Sequence, residues 1–185
     1  CKGYYEEFGK PMIAEKFPEY VSRIAVGLVG KGSDCFGFDD AQSRDHDFGP
    51  RFVMWVTRET YEEIGEALQK AYEELPTAFL GVERIETFHG RDRAGVMVIE
   101  DFYEKLTGIK ELSDIPVTKW LEAQEYGLAA AVNGEVFCDE EGIFTAWREK
   151  LLAYYPKAVW YRRIAQECAL FSQNGQYNLP RMRRR

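Results

Sequence analysis

The sequence predicts an α+β fold, with a mixed β-sheet and flanking helices first and an all-helical part after it. Three observations favour this fold. The N-terminal half holds short apolar runs rich in β-branched and aromatic residues, which are typical of strands. The C-terminal half repeats its apolar residues at three- and four-residue spacing, as helices do. Hydrophobic residues make up 45% of the chain, which is enough for a sizeable core.

Four segments are predicted to be strands. Residues 23–29 and 52–56 are apolar runs of the kind found in buried strands, and the first ends at the turn Gly30-Lys31-Gly32. Residues 82–88 and 96–99 are two further candidates, joined across a polar turn.

Six segments are predicted to be helices. Thr57 is a suitable N-cap for an amphipathic helix that Pro76 stops, and Gly108 is a suitable C-cap for a shorter one. The other four are residues 11–17, 118–132, 143–155 and 157–174. The spacing of apolar residues changes to a helical pattern after the last predicted strand. This change divides the chain into a first domain, residues 1–108, and a helical second domain, residues 109–185, which we expect to be truncated.

Charge and cysteine content exclude several functions. A net charge of -7 argues against general nucleic-acid binding, although a small basic pocket for a nucleotide remains compatible with it. The four cysteines show no CxxC spacing, which favours reduced thiols in a cytoplasmic protein. No apolar run approaches the ~20 residues that span a bilayer, so we expect no membrane partner.

The segment between the first two predicted strands carries two paired carboxylates. If residues 45–48 are extended, Asp45 and Asp47 point to one face, whereas His46 points to the other. Two such carboxylates ionise together easily only when cations lie between them. Magnesium prefers oxygen ligands of this kind, and two-metal phosphoryl transfer requires a carboxylate cluster. The pattern therefore predicts that Asp45 and Asp47 are catalytic and bind magnesium.

The turn after the first strand is a candidate phosphate site. Gly32 permits a close backbone approach, and Ser33 can cap a following helical turn and leave N–H groups for an anion. The turn lacks the GxxxxGK[ST] pattern of a P-loop, because its lysine precedes the second glycine.

Gly32-Ser33, eleven residues and then Asp45-x-Asp47 resemble the signature of the DNA polymerase β-like nucleotidyltransferase superfamily. The stretches GLVGKGSDCFGFDDAQSRDHDFGP, NGEVF, LLAYYP and SQNGQYN look like bacterial proteins called domain of unknown function 4037. The resemblance covers nearly the whole chain, and the first stretch is its most specific part.

The resemblance implies a nucleotidyltransferase-type sheet followed by a helical domain like that of aminoglycoside nucleotidyltransferases. It implies that Gly32 and Ser33 hold the triphosphate, while Asp45 and Asp47 hold two Mg²⁺ ions. Lys31 departs from the superfamily pattern, which usually has an apolar residue there, but a lysine at this position can reach phosphate. A guanidinium from Arg44 or Arg51 would neutralise developing charge, since it matches phosphate geometry. A third acid would activate the acceptor, and its candidates are Glu83, Glu86 and Glu100.

The predicted function is transfer of a nucleoside monophosphate from a nucleoside triphosphate to a hydroxyl or amine of a small-molecule or macromolecular acceptor. A second hypothesis is a catalytically degenerate module of the same fold that binds nucleotide and regulates. A third is a structural interaction protein, whose aromatic-rich helices form a partner interface.

Overall fold

The structure is a computed structural model that describes residues 1–38, 49–84, 93–153 and 156–182. Within these residues, no helix combines the length and the apolar character that crossing a membrane requires.

A four-stranded mixed sheet forms the centre of the molecule, in the order β5-β2-β1-β6. Strand β1 runs antiparallel to both of its neighbours, whereas β2 and β5 are parallel. The register pairs Ala25 with Trp55 and Val53 with Gly95. The four strands are β1 (Ala25–Leu28), β2 (Val53–Val56), β5 (Gly95–Val98) and β6 (Glu135–Cys138), and a separate hairpin consists of β3 (Ala78–Phe79) and β4 (Val82–Glu83).

Helices cover both faces of this sheet. Two of them, α1 (Lys2–Tyr4) and α2 (Lys10–Lys16), are joined by a π-helical segment, Tyr5–Gly9, and a 3₁₀ segment, Pro18–Arg23, leads into β1. The remaining helices are α3 (Arg58–Glu73), α4 (Ile99–Thr107), α5 (Val117–Glu122), α6 (Glu125–Val132), α7 (Ile143–Leu152) and α8 (Lys157–Met182).

The first face of the sheet packs on the N-terminal helices and α3. Alternation along β2 sends Met54 and Val56 to this face, where they meet Tyr4, Ile13 and Leu68 among the cluster's buried residues. The second face packs on α4 to α7. There Trp55 stacks on Phe144, with ring centroids 4.1 Å apart, and belongs to a cluster with Tyr103 and Trp147. The core is therefore two clusters, divided by the sheet.

The strongest local signals are confirmed. Both apolar runs form strands, and Thr57 caps α3 by accepting a hydrogen bond from the Thr60 N–H at 3.3 Å. Gly108 ends α4 in the left-handed region, with φ of 75°, as its C-cap role predicts. The sheet is mixed and a helical part follows it, so the α+β class is confirmed.

The expectation of an all-helical second part is wrong in one respect. Strand β6 lies within it and pairs with β1, with Leu28 opposite Glu135. The sheet therefore takes strands from both sides of the boundary expected at residues 108 and 109. The division into two domains at that point stays a prediction.

Three other expectations need correction. Residues 82 and 83 belong to the separate β3-β4 hairpin, and β5 pairs with β2. The helix expected over residues 118–132 is two helices, α5 and α6, because Ala123 and Gln124 are extended. Helix α8 continues through Gly175 to Met182, since a single helical glycine costs only about 1 kcal/mol.

Candidate functional site: a cationic cavity beside the glycine turn

A cavity of about 660 Å³ lies where the turn after β1 meets the edge strand β5. The turn contributes Gly30, Lys31 and Gly32 to its lining, and β5 contributes Val96 to Val98. Helix α3 contributes Arg58 and Tyr61, α4 contributes Asp101, Phe102, Lys105 and Leu106, and Arg93 comes from the segment just before β5. This volume lies within the range of ~300–1,000 Å³ that ligand pockets occupy.

Among the described lining residues, positive charge dominates. Four of them are cations, Lys31, Arg58, Arg93 and Lys105, and one, Asp101, is a carboxylate. Asp101 pairs with Arg58, and both side chains of that pair are more than half exposed. The chain as a whole carries a net charge of -7, so this concentration of cations is local. A cavity with this lining favours an anionic ligand.

Arg93 is fixed against the glycine turn by a buried ion-pair network. Its guanidinium Nη2 donates to Asp34 Oδ1 at 2.9 Å, while Arg51 donates to Asp34 Oδ2. The Asp34 side chain is only 12% exposed, so two guanidinium groups share one buried carboxylate. The Asp34 carboxylate thus fixes the Arg93 guanidinium at the cavity wall.

Glycine is required at position 32 for two reasons. Its φ is 151°, in the region that residues with a side chain rarely adopt. A Cβ there would also overlap the Arg93 guanidinium and the Asp34 carboxylate. The arginine therefore lies directly over the backbone of the turn. Within the part of the chain that the structure describes, the N–H groups of Gly32 and Ser33 donate to no acceptor.

Cys35 follows this turn and is a packing residue. Its side chain is buried and free of disulfide bonding. Burial, and then the negative charge of Asp34, raise the pKa of the Cys35 thiol to about 12. The thiol is therefore neutral near pH 7 and is a poor nucleophile.

Part of the cavity lining is apolar and aromatic. It includes Met97, Phe102 and Leu106, and Tyr61, which is 37% exposed, adds an aromatic ring. Phe102 also packs edge-on against Trp55, with ring centroids 5.3 Å apart, so the core fixes this wall. The described lining thus combines cationic side chains with apolar and aromatic ones.

The structure brings together some of the predicted site residues. Lys31 and Gly32 line the cavity, and Ser33 follows them at an exposed position. Arg44, Asp45 and Asp47 lie outside the described residues, so their predicted roles stay predictions. Arg51 is buried against Asp34 and is not part of the cavity lining.

The three candidates for a third acid lie in different parts of the chain. Glu83 is exposed on β4, away from the four-stranded sheet, and Glu86 lies outside the described residues. Glu100 lies in the first turn of α4, directly before Asp101 of the cavity lining. Its Oε2 atom is buried and accepts no hydrogen bond from the described residues. Glu100 is therefore the candidate nearest in sequence to the cavity wall.

Three cations of the cavity lining, Arg58, Arg93 and Lys105, were not predicted from the sequence. One signal was available, because Arg58 is a cation in the first turn of α3, where the helix dipole disfavours it. Arg93 and Lys105 carried no such signal and reach the cavity only through tertiary packing. Among the described residues no group of three potential metal ligands occurs.

The match to known proteins is confined to the C-terminal third of the chain. Residues 120–185 match the family model described as Domain of unknown function (DUF4037). No curated protein and no solved structure matches the chain. The resemblance to this family is therefore supported over residues 120–185, from α5 onward, and the wider superfamily assignment stays a prediction.

Proposed function

We propose that this protein is a metal-dependent nucleotidyltransferase of the DNA polymerase β-like type, and that the cavity binds its nucleoside triphosphate. The observation that carries the proposal is the cluster of cations around the turn Gly30-Lys31-Gly32 in an otherwise acidic chain. The four cysteines form no disulfide, which accords with a cytoplasmic location, and that location is part of the same proposal.

The charged end of the cavity would hold the triphosphate. Lys31 reaches it from the turn, and Arg93 reaches it from the Asp34 network. The N–H groups of Gly32 and Ser33 offer donors to phosphate oxygens beside them. The apolar part of the lining, with Met97, Phe102 and the Tyr61 ring, would contact the base.

The transfer itself needs a metal-binding pair and a base. Asp45 and Asp47 would hold two Mg²⁺ ions, which when bound neutralise charge on the triphosphate. The acceptor oxygen or nitrogen forms a bond to the α-phosphorus, the bond from that phosphorus to the bridging oxygen breaks, and pyrophosphate leaves. The acceptor proton passes to a carboxylate, for which we propose Glu100.

The test is transfer of label from each of the four α-³²P nucleoside triphosphates, with Mg²⁺, onto fractionated acceptors: small molecules, RNA and protein. We expect transfer by the wild type and at least a hundredfold loss in Asp45→Asn, since a removed metal ligand abolishes the charge neutralisation. Asp39→Asn is the matched control in the same segment. Unchanged transfer by Asp45→Asn would overturn the proposal.

One observation favours the second candidate, a catalytically degenerate nucleotide-binding module. Strand β5 directs Met97, and not a carboxylate, to the cavity. If Glu100 does not reach the acceptor, the site binds without transfer. In that case Mg²⁺-dependent nucleotide affinity is retained while no α-³²P label moves to any acceptor, and Glu100→Gln changes neither result.

A further inference from the structure

The turn at the cavity is held by a side chain that directly precedes β6, the edge strand opposite β5. Asn133 Oδ1 accepts a hydrogen bond from the Gly30 N–H at 2.9 Å, and Asn133 Nδ2 donates to the Gly30 carbonyl at 2.8 Å. The amide therefore pairs with both backbone polar groups of one residue, 103 positions away. It acts on Gly30 as the backbone of a neighbouring strand would.

The position of Asn133 is itself fixed from two directions. Arg148 of α7 donates from Nη1 to the Asn133 carbonyl at 2.6 Å. On the other side, Gly134 lies against β1 so closely that a Cβ there would overlap the Leu28 carbonyl oxygen. Strand β6 then continues the contact, because Glu135 pairs with Leu28. The side-chain amide thus extends the β1-β6 pairing into the turn.

Gly30 is the residue whose conformation sets the direction of this turn. Its φ is 129°, which a residue with a side chain rarely adopts, and Lys31 and Gly32 follow it into the cavity lining. A glycine without external bonds would sample several backbone states at this point. The two hydrogen bonds from Asn133 select one of them.

We propose that Asn133 is a positioning residue that presets the turn Gly30-Lys31-Gly32 for a phosphate chain, and that Arg148 holds Asn133 in place. The inference rests on the proposed function, since it concerns the same cavity. It assigns a role in polyphosphate affinity to the C-terminal part of the chain, none of whose described residues after Leu106 lines the cavity.

The test compares ligands with and without phosphate. Affinity for inorganic tripolyphosphate with Mg²⁺ is measured by calorimetry for the wild type, for Asn133→Ala and for Asn174→Ala. Asn174 is the matched control because it is the same residue type at an exposed position of α8. We expect about a tenfold loss in Asn133→Ala, which corresponds to about 1.4 kcal/mol, and no change in Asn174→Ala.

Two further measurements separate positioning from general destabilisation. Affinity for unphosphorylated nucleosides is expected to stay within twofold of wild type in Asn133→Ala. Amide hydrogen exchange is expected to accelerate in the peptide covering residues 29–38 and to stay unchanged in α3. If Asn133→Ala does not fold, Arg148→Gln replaces it, because this change removes the guanidinium that donates to the Asn133 carbonyl. Tripolyphosphate affinity is then compared with that of the wild type. Arg148→Lys keeps a donor and is expected to recover most of the affinity.

The possible outcomes distinguish this inference from the proposed function. If wild type binds tripolyphosphate and Asn133→Ala binds it within twofold as tightly, the positioning role is wrong and the proposed function stands. If wild type binds neither tripolyphosphate nor any nucleoside triphosphate, the proposed function is wrong and the inference falls with it.

Discussion

The two faces of the sheet differ in what they bury. On the face covered by the N-terminal helices and α3, Phe52 is fully buried and contacts the rings of Tyr4, Tyr5 and Tyr72. On the other face the aromatic cluster around Trp55 stops at Phe102, and the cavity begins there. The aromatic residues of the first face therefore contribute mainly stability, whereas those of the second face are divided between the core and the cavity, which α3 also reaches with Arg58 and Tyr61.

The largest expected effect tests this contrast through stability. Phe52→Ala removes a fully buried ring, and we expect it to lower the free energy of unfolding by about 3–5 kcal/mol. Met97→Ala, on the cavity side, is expected to cost less than about 2 kcal/mol, because Met97 is only partly buried and borders an existing space. Urea denaturation of both variants measures the difference. Equal losses would contradict the division between the two faces.

An intermediate effect is expected at the glycine turn. Gly32→Ala places a Cβ against the Arg93 guanidinium in a backbone conformation that strains it by about 1–3 kcal/mol. We expect at least a tenfold loss of tripolyphosphate affinity by calorimetry, because Arg93 must leave its position.

Gly37→Ala is the control for this variant. Its φ of 77° is also in the left-handed region, but a Cβ there meets no heavy atom within 4 Å. It is expected to lose stability without losing affinity. If the two variants lose affinity equally, strain and not the displacement of Arg93 is the cause.

The smallest expected effect is a pH dependence of stability at Cys35. The pKa of the Cys35 thiol rises from 9.0 to about 12 on folding, so as the pH increases the unfolded state loses the thiol proton before the folded state does. The stability of the folded state is therefore unaffected by this group below about pH 9, and it falls as the pH rises from there toward 12. Cys35→Ala should therefore show a shallower alkaline decline in thermal unfolding than wild type. Cys168→Ala, at an exposed position, should show the wild-type slope, and a shallower slope there would contradict the assignment.

Local signals in the sequence were sufficient for much of the fold. Strands β1 and β2 are dense apolar runs, and α3 and α4 have a capping threonine and a terminal glycine that act through neighbouring residues alone. Strand β6 carried no such signal, since its four residues are partly or fully exposed and follow a helical run. It is a strand because Gly134 allows it to approach β1.

The site was predictable only in part for a related reason. Lys31 and Gly32 were identified because the turn is contiguous with a strand, and both line the cavity. Arg93 and Asn133 come from distant segments, and their role depends on contacts with Asp34 and Gly30 that no spacing encodes. Asp45 and Asp47 lie outside the described residues, so the metal site stays a prediction from the sequence.

The most direct test of the central claim is a calorimetric titration of the four nucleoside triphosphates, with and without Mg²⁺. It uses wild type, Asp45→Asn/Asp47→Asn and Arg93→Met, with Lys110→Met as a control for loss of an exposed cation distant in sequence from the turn. We predict Mg²⁺-dependent binding by wild type and Lys110→Met, loss of the Mg²⁺ dependence in the double variant, and at least tenfold weaker binding in Arg93→Met. Failure of every triphosphate to bind wild type, or wild-type affinity in Arg93→Met, would contradict it.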